Sequence, residues 1–259
     1  MEVWTVANQK GGVGKTTTTI ALAGVLAELG KKVLLVDTDP HASLTYYFGV
    51  ESEDLDLSVY DLFTQVASKE QILQSLCPTQ YENIDILPAT MGLATLDRSL
   101  GAKGGMGLVL KKAMSKVAQC YDFVLIDCPP ILGVLMVNAL AAADRILVPV
   151  QTEFLALKGL YRMIKTMDMM QLEQDKPFEY TIIPTMFDKR TKASLLAYKQ
   201  LQETYQEKVW SGVIPIDTNF RNASLAQQVP SHFAENTRGV LAYKNLLEYL
   251  LKISHRSIN

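Results

Sequence analysis

The sequence predicts an α/β fold: a doubly wound, mostly parallel sheet with helices on both faces. Two patterns point to it. Short apolar runs alternate with longer helical patterns along the chain, as successive βαβ units require. Several of the short runs are almost unbroken Val, Ile and Leu, the composition of strands buried on both faces. The 259 residues allow one large domain or two small ones. No Pro- or Ser-rich linker divides them and no internal repeat is visible, so a single domain over residues 1–259 is expected.

Residues 3–7 read as the first strand, 16–29 as a helix stopped by Gly30, and 33–36 as the second strand. Further strands are expected at 84–87, 123–126, 146–150, 180–183 and 213–214. Helices are expected at 106–118, 131–142, 153–171, 193–204 and 239–253. The acidic run at 51–56 reads as a solvated loop. The glycine-rich stretch at 101–107 is not followed by Gly-Lys-Ser/Thr and reads as a connector entering a helix.

Composition narrows the function classes. Apolar residues make up 48% and charged residues 20%, which excludes a disordered or collagen-like chain. Lys and Arg number 25 against 27 Asp and Glu, a net charge of −2, so any affinity for nucleic acid must come from a local patch. The three cysteines, Cys77, Cys120 and Cys128, are odd in number and form no CxxC, which fits a reducing cytosol. Met1-Glu2-Val3-Trp4 has no basic region leading into an apolar stretch, so no signal peptide is expected. The apolar stretch 131–143 is interrupted by Asn138, is too short to cross a bilayer, and reads as a buried helix. A cytoplasmic protein is expected.

The strongest chemical signal is Lys10-Gly11-Gly12-Val13-Gly14-Lys15-Thr16-Thr17, between the first strand and the first helix. That is the context of a P-loop. Glycines let successive backbone N–H groups turn toward phosphate oxygens, and the following helix adds its positive end. Lys15 is placed to reach the terminal phosphates, and the Thr16 hydroxyl to ligate Mg²⁺. Two further runs, Val33-Leu34-Leu35-Val36-Asp37-Thr38-Asp39-Pro40 and Phe123-Val124-Leu125-Ile126-Asp127-Cys128-Pro129-Pro130, are apolar strands ending in carboxylates. Such carboxylates sit on the rim where α/β sheets bind ligands.

The loop has Gln9 where the ordinary pattern has glycine, and a second lysine, Lys10, just ahead of its glycines. In this it resembles the deviant Walker A loop of the ParA/MinD family of P-loop ATPases. The resemblance runs from Val3 to about Leu251. It implies ATP and Mg²⁺ as ligands, with Gly11, Gly12, Val13, Gly14, Lys15, Thr16 and Thr17 around the phosphates. It implies an ATP-dependent homodimer in which Lys10 acts in the partner's site, Asp39 positions the attacking water, and Asp127 holds the metal through water with Asp37 nearby. Pro129 to Gly133 resembles the second switch. Adenine contacts are expected at Met186, Pro215 and Asp217.

Several segments are most similar to one branch of that family, the ParC ATPases found with polar chemotaxis genes. They are residues 37–45, 150–160 and 238–243, with His41 where chromosome-partition members usually have Gln. This implies concentration at a cell pole, a ParP-type adaptor and chemosensory array proteins as partners. Chromosome or plasmid partitioning with a centromere-binding protein is the alternative, and an ATP-coupled metabolic enzyme is a third. Arg190 matches a family position for weak, non-specific DNA binding, with Lys189, Lys192 and Arg221 close in sequence. Lys158, Arg162 and Lys165 share one helix face, either for DNA or simply solvated. The last helix carries Leu241, Leu246, Leu247, Leu250 and Ile253 at core spacing, so packing rather than membrane insertion is expected.

Overall fold

The computed structural model describes all residues except 66, 97, 98, 100–105, 172–176 and 257–259. Most of the glycine-rich stretch expected to be a connector lies outside the described residues. Seven strands form one sheet in the order β3-β4-β2-β5-β1-β6-β7. They are β1 (Glu2–Val6), β2 (Val33–Asp37), β3 (Cys77–Pro78), β4 (Ile84–Leu87), β5 (Phe123–Asp127), β6 (Arg145–Gln151) and β7 (Tyr180–Thr185). The chain gathers into two compact units: Met1–Ala7 with Ala27–Ile146, and Asn8–Leu26 with Leu147–Asn259.

In the first unit β5 lies between β1 and β2, parallel to both, and β4 runs parallel beside β2. Every residue of β2 and β5 is buried, including Asp37 and Asp127. Successive side chains of a strand point to opposite faces, so this uniform burial means both faces are covered. The edge strand β3 is antiparallel and only two residues long; nothing in its composition announces it. Short helices α2 (Ser43–Tyr47), α3 (Val59–Thr64) and α4 (Lys69–Gln74) fill the region before β4. The Ser58 and Ser68 side chains cap α3 and α4 as capping boxes with Asp61 and Gln71.

The expected helix at 106–118 is a 3₁₀ turn, Met106–Leu108, followed by α5 (Val109–Lys116). The next helix, α6 (Val134–Ala142), begins three residues later than expected, at the Gly133 cap, and leaves Ile131 and Leu132 exposed. Asn138, the polar interruption in that apolar run, is fully buried. Its Oδ1 accepts the Val109 and Leu110 amides at 2.8 and 3.3 Å, and its Nδ2 donates to the Val134 carbonyl. A polar side chain is tolerated in the core here because it satisfies the orphan donors that open α5.

The second unit contains α1 (Lys15–Glu28), α7 (Phe154–Gln171), α8 (Lys192–Tyr205), α9 (Asn219–Leu225), α10 (Pro230–Phe233) and α11 (Arg238–Arg256). Val240, Tyr243, Leu246, Leu247 and Leu250 of α11 are buried, so its apolar stripe belongs to the core, while Leu241 faces outward. No helix among the described residues is long and apolar enough to cross a membrane.

The expected strand at 213–214 is not one. Ile214 does bond the Pro184 carbonyl at 2.8 Å, but the ladder stops at a single bridge, Phe187 with Pro215. The ladder's donors here are Ile214 and Ile216, and their acceptors step from Pro184 to Phe187, three residues instead of two, because Met186 turns the facing segment through φ +51°.

Gly24 shows how closely α1 is packed. A Cβ there would lie 2.9 Å from both Val229 Cβ and Ser231 Oγ. Helix propensity alone favours Gly24→Ala by about 1 kcal/mol. Overpacking costs about 1–3 kcal/mol, so a net loss of stability is expected, read as a lower urea midpoint at unchanged slope. A higher midpoint would mean that the 229–231 segment yields freely.

Candidate nucleotide site

The loop between β1 and α1 is held from several sides within its unit. The Asn8 amide donates to the Pro149 carbonyl at 2.8 Å, and Asn8 Oδ1 accepts the Lys10 N–H at 3.0 Å. Gln9 donates to Thr166 Oγ1 at 2.9 Å, and the Thr185 hydroxyl donates to the Val13 carbonyl at 2.8 Å. Gly12 and Gly14 take φ of +72° and +93°, a backbone that a side chain would strain. A Cβ built on Gly11, Gly12 or Gly14 meets nothing within 4 Å, so the loop faces open space. Lys15, only 8% exposed, folds back so that its ammonium donates to the Lys10 carbonyl at 3.2 Å. Backbone donors, an inward lysine and a helix N-terminus around open space form a cradle for a phosphate chain.

A cavity of about 300 Å³ adjoins this loop. Gly14 and Thr17 line it on one side, and Met186, Pro215 and Asp217 on another, so the phosphate residues and the expected adenine residues share one cavity. Its size is at the lower end for a small-molecule site. Thr185 and Ile214, next to the expected adenine contacts, also line it, as do Phe220 and Tyr243, for which no nucleotide role was expected. Tyr243 bonds Thr18 across 225 positions of sequence, a partnership no local pattern reveals.

The stretches that carry the expected adenine contacts are joined by the bridge between Phe187 and Pro215, and the Phe187 amide donates to the Ile214 carbonyl at 3.0 Å. Asp217 is spoken for by its own chain. Its Oδ1 accepts from the Asn219 amide and its Oδ2 from the Gly239 amide, both at 3.0 Å. Burial pushes the Asp217 carboxyl up, and these hydrogen bonds, with those from the Asn219 and Thr237 side chains, more than reverse that, leaving it below the usual range.

Lys10 does not point into open solvent. Its ammonium forms an ion pair with Glu153, the residue immediately before α7, 143 positions away. Sequence reading missed Glu153, because only the fold brings the two together.

In the first unit, Asp37 and Asp127 end neighbouring parallel strands in register with each other. Asp37 is fully buried; its Oδ2 accepts the Thr45 amide and hydroxyl at 2.9 and 2.7 Å, and its Oδ1 the Asp39 amide at 3.0 Å. Burial raises its pKa to about 6 even against those hydrogen bonds. Both Asp37 oxygens therefore fasten the loop 39–45. Asp39 is more accessible, its Oδ1 accepting the His41 amide at 3.0 Å and lying 2.8 Å from His41 Nδ1. Thr38 donates its amide and hydroxyl to the Asp127 carbonyl, joining the two strand ends.

The expected DNA residue Arg190 is exposed, but Asp188 grips its guanidinium through two bonds of 2.9 and 2.8 Å. The Arg190 hydrogen bonds hold the Asp188 carboxyl down at about 2.

A family model described as an AAA domain (AAA_31) matches residues 1–180. The sporulation initiation inhibitor protein Soj of Bacillus subtilis (strain 168) is 38% identical over 249 residues, covering 93% of this chain and 94% of Soj. The chain belongs to the AAA_31 family of ParA/Soj-type P-loop ATPases. The chromosome-partitioning ATPase Soj of Treponema pallidum (strain Nichols) is 39% identical to this AAA_31 protein over 226 residues, 87% of this chain and 85% of that one. Among solved structures, cobyrinic acid a,c-diamide synthase from Mycobacterium smegmatis, with bound ATP analog and magnesium, has a TM-score of 0.83 at 32% identity. It covers 97% of this AAA_31 chain and 95% of its own. Partitioning proteins and a synthase thus share one fold, so the task of each is set by surfaces beyond the fold.

Proposed function

We propose that this AAA_31 protein is a Mg²⁺-dependent ATPase switch, in which ATP joins two copies and slow hydrolysis lets them part. The observation that carries the reading is the cavity shared by Gly14 and Thr17 of the phosphate loop with Met186 and Pro215. It suits a nucleotide, with a base at one end and phosphates at the other.

Backbone amides at 11–17 hold the phosphates, and Lys15 neutralises their charge. Thr16 and Asp127 are the residues that would hold Mg²⁺, which when bound supplies further neutralisation of the phosphate oxygens. Asp39 orients the attacking water. Asp37, with both oxygens committed to Thr45 and Asp39, serves by holding the loop that carries Asp39. Lys10 acts in the partner copy's site, as the family's extra lysine does.

For Lys10 to reach a second copy, its pair with Glu153 must break. The two side chains are 30% and 41% exposed, so the pair is worth less than about 1 kcal/mol. Glu153→Gln removes that cost. The ATP-dependent dimerisation constant is expected to rise by up to about fivefold, since 1 kcal/mol is close to that factor. Sedimentation with a non-hydrolysable ATP analogue checks it; an unchanged or lower constant would deny the transfer of Lys10.

The proposed cargo is the polar chemosensory array, reached through a ParP-type adaptor, with the protein in the cytoplasm and concentrated at a pole. It is supported by the branch-like segments 37–45, 150–160 and 238–243. The second reading, segregation of chromosome or plasmid DNA with a centromere-binding partner, is supported by the Treponema relative's name. Pull-down from native cells with ATP-loaded Asp39→Ala protein distinguishes them. Recovery of array or adaptor proteins supports the first; recovery of chromosomal DNA with a centromere-binding protein, and no chemotaxis component, supports the second.

A further inference from the structure

Helices α7 and α8 bury one face each. Ala156, Leu160, Met163 and Met167 of α7 and Ala197 and Leu201 of α8 are in the core. Their outer surface is not the polar one such helices usually present. Phe154 and Tyr161 of α7 are 63% and 58% exposed, and Leu196 of α8 is 55% exposed. Between the helices runs a groove of about 510 Å³, walled by Phe154, Leu157, Tyr161, Leu201 and Tyr205.

Its charge is one-sided. Lys158 and Arg162 line the groove and Lys165 continues their row one turn on; no carboxylate is among the described residues that line it, and Asp168 of α7 lies a turn beyond Lys165. Lys158 Nζ lies 5.1 Å from the Phe154 ring centroid and Lys165 Nζ 5.8 Å from that of Tyr161, so the rings brace the cations. Glu203, the one acidic residue of α8, faces Lys199 at 3.6 Å.

We propose that this groove docks an amphipathic helix of a partner protein that carries acidic residues beside its apolar anchors. A helix lying between two helices inserts apolar side chains at i, i+4 and i+7, and the aromatic walls supply pockets for them. Lys158 and Arg162, which line the groove, select acidic flanks and exclude basic ones. Duplex DNA would match the cations but has no apolar side chains to fill the groove. None of the groove residues is assigned to the nucleotide, so the test reads the same whether or not the chain hydrolyses ATP.

The test uses the full chain and a displayed library of helices about 18 residues long, with apolar positions fixed at helical spacing and the rest randomised. Sequences selected on the wild-type chain are expected to be enriched in Glu and Asp at the flanks. As labelled peptides they should bind Lys158→Glu/Arg162→Glu protein at least about tenfold more weakly. Lys-flanked versions of the same peptides should regain affinity for that doubly reversed protein, which a folding defect could not produce. Tyr161→Ser should weaken both kinds, with thermal midpoints confirming that the variants fold. Selected sequences without an acidic bias, or binding indifferent to charge reversal, would overturn the proposal. So would a DNA duplex that binds this face in place of the peptides, or a change of oligomeric state on altering the groove, which would make a second copy its occupant.

Discussion

Lys15→Ala is expected to weaken ATP binding by about 2–5 kcal/mol, from thirtyfold to several thousandfold in Kd, because the phosphates lose their inward-facing cation. The size follows from position. Lys15 is nearly buried and its ammonium is already held over the loop by the Lys10 carbonyl, so little ordering remains to be done when phosphate arrives. Truncation also leaves the Lys10 carbonyl without that donor, so the thermal midpoint of the apo protein must be compared. A folded variant that binds ATP with wild-type affinity, by calorimetry or a fluorescent nucleotide, would remove the loop from the mechanism.

Asp39→Ala is expected to separate binding from turnover. The phosphate cradle contains no atom of Asp39, so ATP affinity should change by less than about tenfold, while kcat falls by about a hundredfold or more for want of a group that orients water. An ATP-bound dimer should then accumulate, visible by light scattering in ATP but not in ADP. Asp39 Oδ1 also accepts the His41 amide, so the alanine variant loosens the turn as well as deleting a charge. Asp39→Asn keeps an acceptor at that atom and isolates the charge. Slow turnover in both variants places the carboxylate itself in the reaction, whereas wild-type turnover in the asparagine variant would reduce Asp39 to a turn residue.

The candidate loop was legible because its parts are contiguous. Seven neighbouring residues, Gly11 to Thr17, make it up, and glycine, lysine and threonine at that spacing encode its shape locally. The strand ends were legible too. β2 and β5 are each four apolar residues closed by an aspartate, so equal runs paired in register bring Asp37 and Asp127 side by side.

What escaped reading fails the same condition. Residues 213–214 have the composition of a strand, but the left-handed Met186 opposite shifts the register and leaves one bridge. The partners of Asp37 also escaped reading: Thr45, eight residues on, returns through the loop to one of its oxygens, and the Asp39 amide donates to the other. Asp217 likewise gives both oxygens to its own backbone, which its motif does not disclose.

The sequence by itself determined which chemical groups this protein owns: a glycine-rich loop with two lysines, carboxylates closing buried strands, and alternating apolar runs that make a parallel sheet. These follow from short-range sterics and from periodic burial, which act over a few residues at a time. Only the tertiary structure decided which partner each group has. It set Lys10 on Glu153, Thr185 on the Val13 carbonyl and Tyr243 on Thr18, across 143, 172 and 225 positions. It also left Phe154 and Tyr161 outside the core beside Lys158 and Lys165. Ion pairs and hydrogen bonds form between whatever groups packing brings within about 3 Å, and that proximity is a property of the folded chain.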